Sequence, residues 1–245
     1  MPLGLAALLF DVVLIVHTAK TRRFWPWAYV IFFLPLLGGL AYIVAELAPE
    51  WLSSYKGRQA RRKITETFNP LGRYWLLRDE LYIADTVANR AAFAEECLNL
   101  SKFEEALAEY ESILSRPMGD EPVFMLGKAR AAFGLRKTDL TVATLEELKR
   151  RWPDYHSAEG HLLYAMALEG SGRDRDALQA YAEVGRYYPG AEPRVRQAEL
   201  LLRLGRKGEA SALATDVMTT LRRAPGHVQR NQREWYAQAQ RIVRS

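Results

Sequence analysis

Ser101–Leu114, SKFEEALAEYESIL, and Gly172–Gly185, GRDRDALQAYAEVG, begin 71 residues apart and decide the fold. Superposed, they set Ala106 on Ala177 and Tyr110 on Tyr181, with a turn-forming Ser101 or Gly172 at the head of each. Apolar residues recur in both at three- and four-residue intervals, the stripe of an amphipathic helix. The separation is close to twice a period of roughly 34 residues, so a further copy is expected between them. Leu126-Gly127, Gly134 and Pro153 outline that copy, about two residues longer in its turn. Ala198, Gly205 and Ala210 outline another, its proline displaced to Pro225.

Each unit reads as two amphipathic helices joined by a tight Gly- or Ser-containing turn. The small residue lets the paired helices approach, and the aromatics fill the gap to the next pair. One pair cannot bury its apolar face alone, so several must stack into a continuous core. Ser101, Phe103, Ala106 and Tyr110, and again Gly172, Ala177, Tyr181 and Pro189, match the turn, aromatic, small and closing-proline positions of a known repeat. Over residues ~87–224 the chain resembles the tetratricopeptide repeat family. The stretch RYWLLRDELYIADTVANRAAFAEECLNL precedes the units, as one helix or as two broken near Asp85-Thr86. A polar helix over Val228–Val243 follows, with Trp235, Tyr236, Ala239 and Ile242 placed to cover the last pair.

The N-terminus is of another kind. Trp27–Leu47, WAYVIFFLPLLGGLAYIVAEL, runs 21 residues with one charge, Glu46, at its end. At ~1.5 Å per residue such a helix is as long as a bilayer's hydrocarbon core is thick. Leu3–Ala19 is a second, shorter apolar run, and KTRRFWPW between them supplies the basic and interfacial aromatic residues of a membrane boundary. Asp11 within the first run has two readings: packing against the glycine face of the second helix, or binding a lipid headgroup or proton. Trp27, Pro35, Gly38 and Tyr42 follow a W-x7-P-x2-G-x3-Y pattern. Over about residues 5–47 this resembles the N-terminal membrane hairpin of bacterial cardiolipin synthases, of the phospholipase D superfamily. That superfamily's chemistry needs H-x-K-x4-D, and no histidine here has a lysine two positions on, so phosphatidyl transfer is not expected.

The expected organisation is therefore all-α: a transmembrane hairpin over 1–52 (spans 3–19 and 27–47), a basic linker over 53–70, and a helical-repeat domain over 71–245 with a C-terminal capping helix. The net charge of +5 is unevenly spread. Lys56, Arg58, Arg61, Arg62 and Lys63 carry +5, the tail from Leu221 carries +5, residues 1–55 are neutral, and 64–220 is left at −5. Beside a membrane span the basic cluster reads as an anchor to anionic lipid; it lacks the interleaved aromatics of a nucleic-acid patch. The positive-inside rule then places both ends, and the repeats, on the cytoplasmic side of a bacterial inner membrane.

No catalytic, metal or cofactor constellation is evident. Cys97 is the only cysteine and reads as an inert core residue. His156 and His161 are five apart, without a third ligand nearby, and Gly170-Ser171-Gly172-Arg173 is explained as a repeat turn. The repeat resemblance implies a concave groove lined by the first helix of each pair, which grips a segment of another protein. Carried onto its register, the groove-facing residues are Glu95, Asn99, Lys128, Met166, Glu169, Glu199 and Arg203. The expected function is a non-enzymatic, membrane-anchored interaction scaffold. The alternatives are an accessory role in cardiolipin metabolism and an anionic-lipid-binding module.

Overall fold

The computed structural model describes residues 71–245. The expected hairpin, with Trp27, Pro35, Gly38 and Tyr42, and the basic cluster Lys56, Arg58, Arg61, Arg62 and Lys63 lie outside the described residues. Within them the chain forms eleven helices and no strand. No helix among the described residues is long and apolar enough to cross a membrane.

An entry helix, α1 (Gly72–Ile83), docks through Tyr74. Its ring packs on Phe93 at a centroid distance of 5.2 Å, and its hydroxyl donates to Glu105 Oε2 at 2.6 Å. Arg73 Nε lies 3.3 Å from the buried Glu96 carboxylate. The chain then breaks at Ala84–Thr86, because Thr86 caps the next helix: its Oγ1 accepts from the Asn89 N–H at 3.2 Å. Asp85 accepts from both Arg90 and Arg116, and those two partners hold its carboxyl at about 2.

Four helix pairs follow: α2 (Val87–Asn99) with α3 (Phe103–Leu114), α4 (Pro122–Gly134) with α5 (Thr138–Arg151), α6 (Ala158–Gly170) with α7 (Asp174–Val184), and α8 (Glu192–Arg203) with α9 (Lys207–Arg223). All four intrapair turns have three residues and one design. The middle residue is left-handed in each: Ser101, Arg136, Gly172 and Gly205. The residue after it returns its N–H to the carbonyl five residues back, Lys102 to Cys97, Lys137 to Ala132, Arg173 to Leu168 and Arg206 to Leu201, at 2.8–3.0 Å. This satisfies carbonyls that a helix end would leave bare.

These turns correct the register expected for the second pair. Its turn is not longer than the others, and its left-handed residue is Arg136, two beyond Gly134. Gly127 and Gly134 are glycines for a different reason. A Cβ on Gly127 would sit 2.3 Å from the Tyr110 ring, and one on Gly134 would sit 2.4 Å from the Phe103 ring. Both give room to an aromatic of the preceding pair.

The first helices each bury an alanine seven residues before the turn, Ala94, Ala129, Ala165 and Ala198, all fully inaccessible. The second helices bury Ala106, Thr141, Ala177 and Ala210 five residues after it, equally inaccessible. The paired helices cross on these small residues. Ile113, Leu148 and Val184 are buried near the far ends of their second helices, and Val217 is buried at the equivalent place in the longer α9. Cys97 lies in this core, and burial pushes its thiol up to about 12, which keeps it protonated.

The expected capping helix divides in two, α10 (Gly226–Asn231) and α11 (Arg233–Arg244). Gln232 sits at the joint and spends its side chain outside the helix, accepting the Ala191 N–H at 2.9 Å. α11 then buries Ala239 and Ile242, with Trp235 and Tyr236 beside them, over α8 and α9.

Candidate functional site

Stacking in one register puts α2, α4, α6 and α8 side by side, and equivalent positions on them form rows. Six residues before each turn stand Glu95, Arg130, Met166 and Glu199. Arg130 Nη1 lies 3.0 Å from Glu95 Oε2, and its Nε lies 3.2 Å from Glu159 Oε1, so one guanidinium ties three first helices together. Tyr110, buried from α3, donates to the same Glu95 oxygen at 3.1 Å. Burial, then the Glu95 charge, pushes the Tyr110 phenol well above its ordinary range.

A second node stands further along. Glu169 Oε2 accepts from the buried Tyr181 hydroxyl at 2.6 Å, and Arg203 Nη1 lies 3.0 Å from Glu169 Oε1. Arg203 also reaches Asp174 at 3.4 Å. Beside the first node lies a hollow of about 450 Å³, walled by Phe133, Leu162, Met166 and Tyr188, with Arg130, Glu159 and Glu192 among its lining. Desolvation holds the Glu199 carboxyl above its ordinary value, and among the described residues it has no ion-pair partner.

The expected groove residues therefore divide. Glu95, Glu169 and Arg203 fall at the two nodes, and Met166 in the wall of the hollow. Glu199 stands in the same row, and Asn99 is exposed at the end of α2. Lys128 does not join them: its Nζ lies 3.2 Å from Glu111 on α3. Arg130 holds the place assigned to it, for the same register reason that moved the turn from Gly134 to Arg136. Placing the turn at Arg136 would have found Arg130, six residues earlier, as Glu95 precedes Ser101.

Chemically this face presents carboxylates and guanidiniums that already satisfy one another, around an apolar hollow. The side chains of Arg130, Glu95, Glu159 and Arg203 remain between 32% and 65% accessible. Exposed pairs contribute only about 0–1 kcal/mol each, so a bound segment carrying matching charges can take over either partner at little cost. Among the described residues no group of three or more His, Cys, Asp or Glu side chains converges as metal ligands.

No family model matches the sequence, and no curated protein does. Solved structures do. A thermophilic TPR protein of Thermus thermophilus is 21% identical, aligned over 74% of this chain and 97% of its own, with a TM-score of 0.52. Residues 41 to the end of MamA from Desulfovibrio magneticus are 15% identical over 71% of this chain and 96% of that one, with a TM-score of 0.54. At such identities the likeness is one of fold, and the described chain is a tetratricopeptide-like helical repeat solenoid.

Proposed function

We propose that the protein is a non-enzymatic scaffold, held at the bacterial inner membrane by its N-terminal hairpin, whose repeat groove grips a segment of another protein. The observation that carries this reading is the ion-pair bridge Glu95–Arg130–Glu159 beside the 450 Å³ hollow: exchangeable charges flank an apolar socket, on a face made by four successive units. Such a surface suits a polar segment of mixed charge with one bulky apolar anchor. The four-unit solenoid supports the interaction role, because stacked helix pairs offer a long surface with no further machinery.

The test is crosslinking in intact membranes followed by capture on a C-terminal tag. Wild type is compared with Arg130→Ala/Glu159→Ala and with Met166→Arg, which places a charge in the hollow. One protein captured by wild type and lost from both variants is the expected result; capture unchanged by either variant overturns the groove assignment. A reporter fused after Ser245 reads topology, and cytoplasmic activity is expected.

The Trp27, Pro35, Gly38, Tyr42 pattern favours a second reading, an accessory role in cardiolipin metabolism. It predicts an altered cardiolipin fraction in membranes lacking the protein, which the scaffold reading alone does not.

A further inference from the structure

A larger concavity lies away from the groove, between the second helices α5 and α7 and the start of α6, and shares no lining residue with the groove hollow. It encloses about 600 Å³, within the ~300–1,000 Å³ usual for small-molecule sites. Leu145, Leu148, Ala180 and Val184 supply apolar surface, and Tyr155, Tyr164 and Tyr187 supply flat aromatic faces.

The repeat register explains why a cleft opens at this interface. Eleven residues before each turn stand Arg90, Met125, His161 and Arg194. Arg90 reaches Glu109 on α3, Arg194 reaches Asp216 on α9, and Met125 is buried in the core. At the third unit the residue is the shorter His161, preceded by Gly160, and its Nδ1 is hydrogen-bonded to the Tyr187 hydroxyl rather than to α7. Space that a long side chain fills or bridges in the other units is left open.

The polar groups around this space are unequally used. Each carboxylate is engaged through one oxygen: Glu146 Oε1 takes the Tyr164 hydroxyl at 3.0 Å and Arg173 at 3.5 Å, and Glu183 Oε1 takes Gln179 Nε2 at 3.0 Å. The nitrogen donors are not. Among the described residues Lys149 Nζ and the His156 ring have no hydrogen-bond or ion-pair partner, and His161 keeps Nε2 in hand. At His161 the pKa is lowered by burial first and then by the His156 and Lys149 charges, with Glu183 opposing. A ligand that brought acceptors and negative charge would use these idle nitrogens.

We propose that the cleft between α5, α6 and α7 is a binding site for a small aryl carboxylate, its ring laid between the tyrosines and the Leu145–Val184 surface and its carboxylate turned toward Lys149 and His156. The apolar area accounts for the body of the ligand and the idle donors for its head. A neutral aromatic would use only the first.

The test uses the full-length protein with 2-naphthoate and its uncharged isostere 2-naphthamide as probes, titrated by calorimetry at pH 7. One naphthoate site per chain is expected, at least fivefold tighter than the amide. The double variant Lys149→Gln/His156→Gln, changed at two exposed positions, should bring naphthoate down to the amide's affinity and leave the amide unchanged. Ala180→Phe, which fills the cleft from a half-exposed position on α7, should weaken both probes at least tenfold with helicity retained. Equal binding of acid and amide, naphthoate binding that survives Ala180→Phe, or no binding of either compound overturns the proposal.

Discussion

In α2–α3 the left-handed turn residue is Ser101 and the small residue of the second helix is Ala106; in α4–α5 the same places hold Arg136 and Thr141. The two pairs nevertheless turn with the same three residues and the same return hydrogen bonds. What they share is interior: Ala94 and Ala129, inaccessible where the helices cross. Thr141 is tolerated in an alanine's place because its hydroxyl bonds back to the Lys137 carbonyl at 3.0 Å, leaving no orphaned polar atom. The geometry of a unit is therefore set by its helix crossing and its turn bonds, and the residue types visible at the turn are secondary.

The strongest way to break this equivalence is Gly127→Leu. Its side chain meets the buried Tyr110 ring, which no rotamer change can clear, so a loss of about 3 kcal/mol is expected. Gly208→Ala, facing open space, should lose nothing. Urea unfolding followed by circular dichroism compares the two. A silent Gly127→Leu would mean that the Tyr110 ring does not fill the space beside that glycine.

The comparison is sharpened by exchanging turn residues. A non-glycine residue in the left-handed region costs about 1–2 kcal/mol, part of which glycine returns through its freer unfolded chain. Arg136→Gly should therefore stabilise by about 0.5–1 kcal/mol, and Gly172→Ala should destabilise by about 1 kcal/mol. The same denaturation experiment reads both, and a destabilising Arg136→Gly would mean that the arginine side chain contributes more than its backbone costs.

The smallest effect comes from the residue that distinguishes the third unit. His161 has its pKa lowered in the folded state, by burial and then by the neighbouring His156 and Lys149, against Glu183. Below the ordinary imidazole value the unfolded chain binds more protons than the folded one. Its contribution is thus fully present above about pH 6.5 and is lost as pH falls from there through the lowered folded value. Stability profiles of wild type and His161→Gln should diverge toward neutral pH and converge in acid.

The sequence carried the repeats where side-chain type and backbone demand coincide. Gly172 and Gly205 are left-handed and look it, Ala106, Ala177 and Ala210 are buried and small, and the entry stretch breaks at Asp85-Thr86, where a threonine cap is available. Legibility failed where one residue type served two purposes. Leu126-Gly127 resembles a helix-crossing pair but accommodates a ring from another unit, and following it displaced the second unit's turn and groove residues, expected at Gly134 and Lys128, by two. Gln232 gave no signal, because its use is a hydrogen bond to Ala191, 41 residues away. The outer cleft was equally hidden, since it depends on the length of one side chain relative to its counterparts in three other units. The two expected membrane spans and the expected basic linker lie outside the described residues.

Cys97, sealed in the first pair with its thiol pushed up to about 12, is the chain's only sulfhydryl. To a thiol-reactive reagent the folded repeat surface is therefore blank. A cysteine placed at Asn99, exposed at the end of α2, would be the sole reactive sulfur on that surface, so a photocrosslinker attached there would report on the groove alone. A chain that needs no cysteine removed before it is tagged keeps its core intact while its partner is sought.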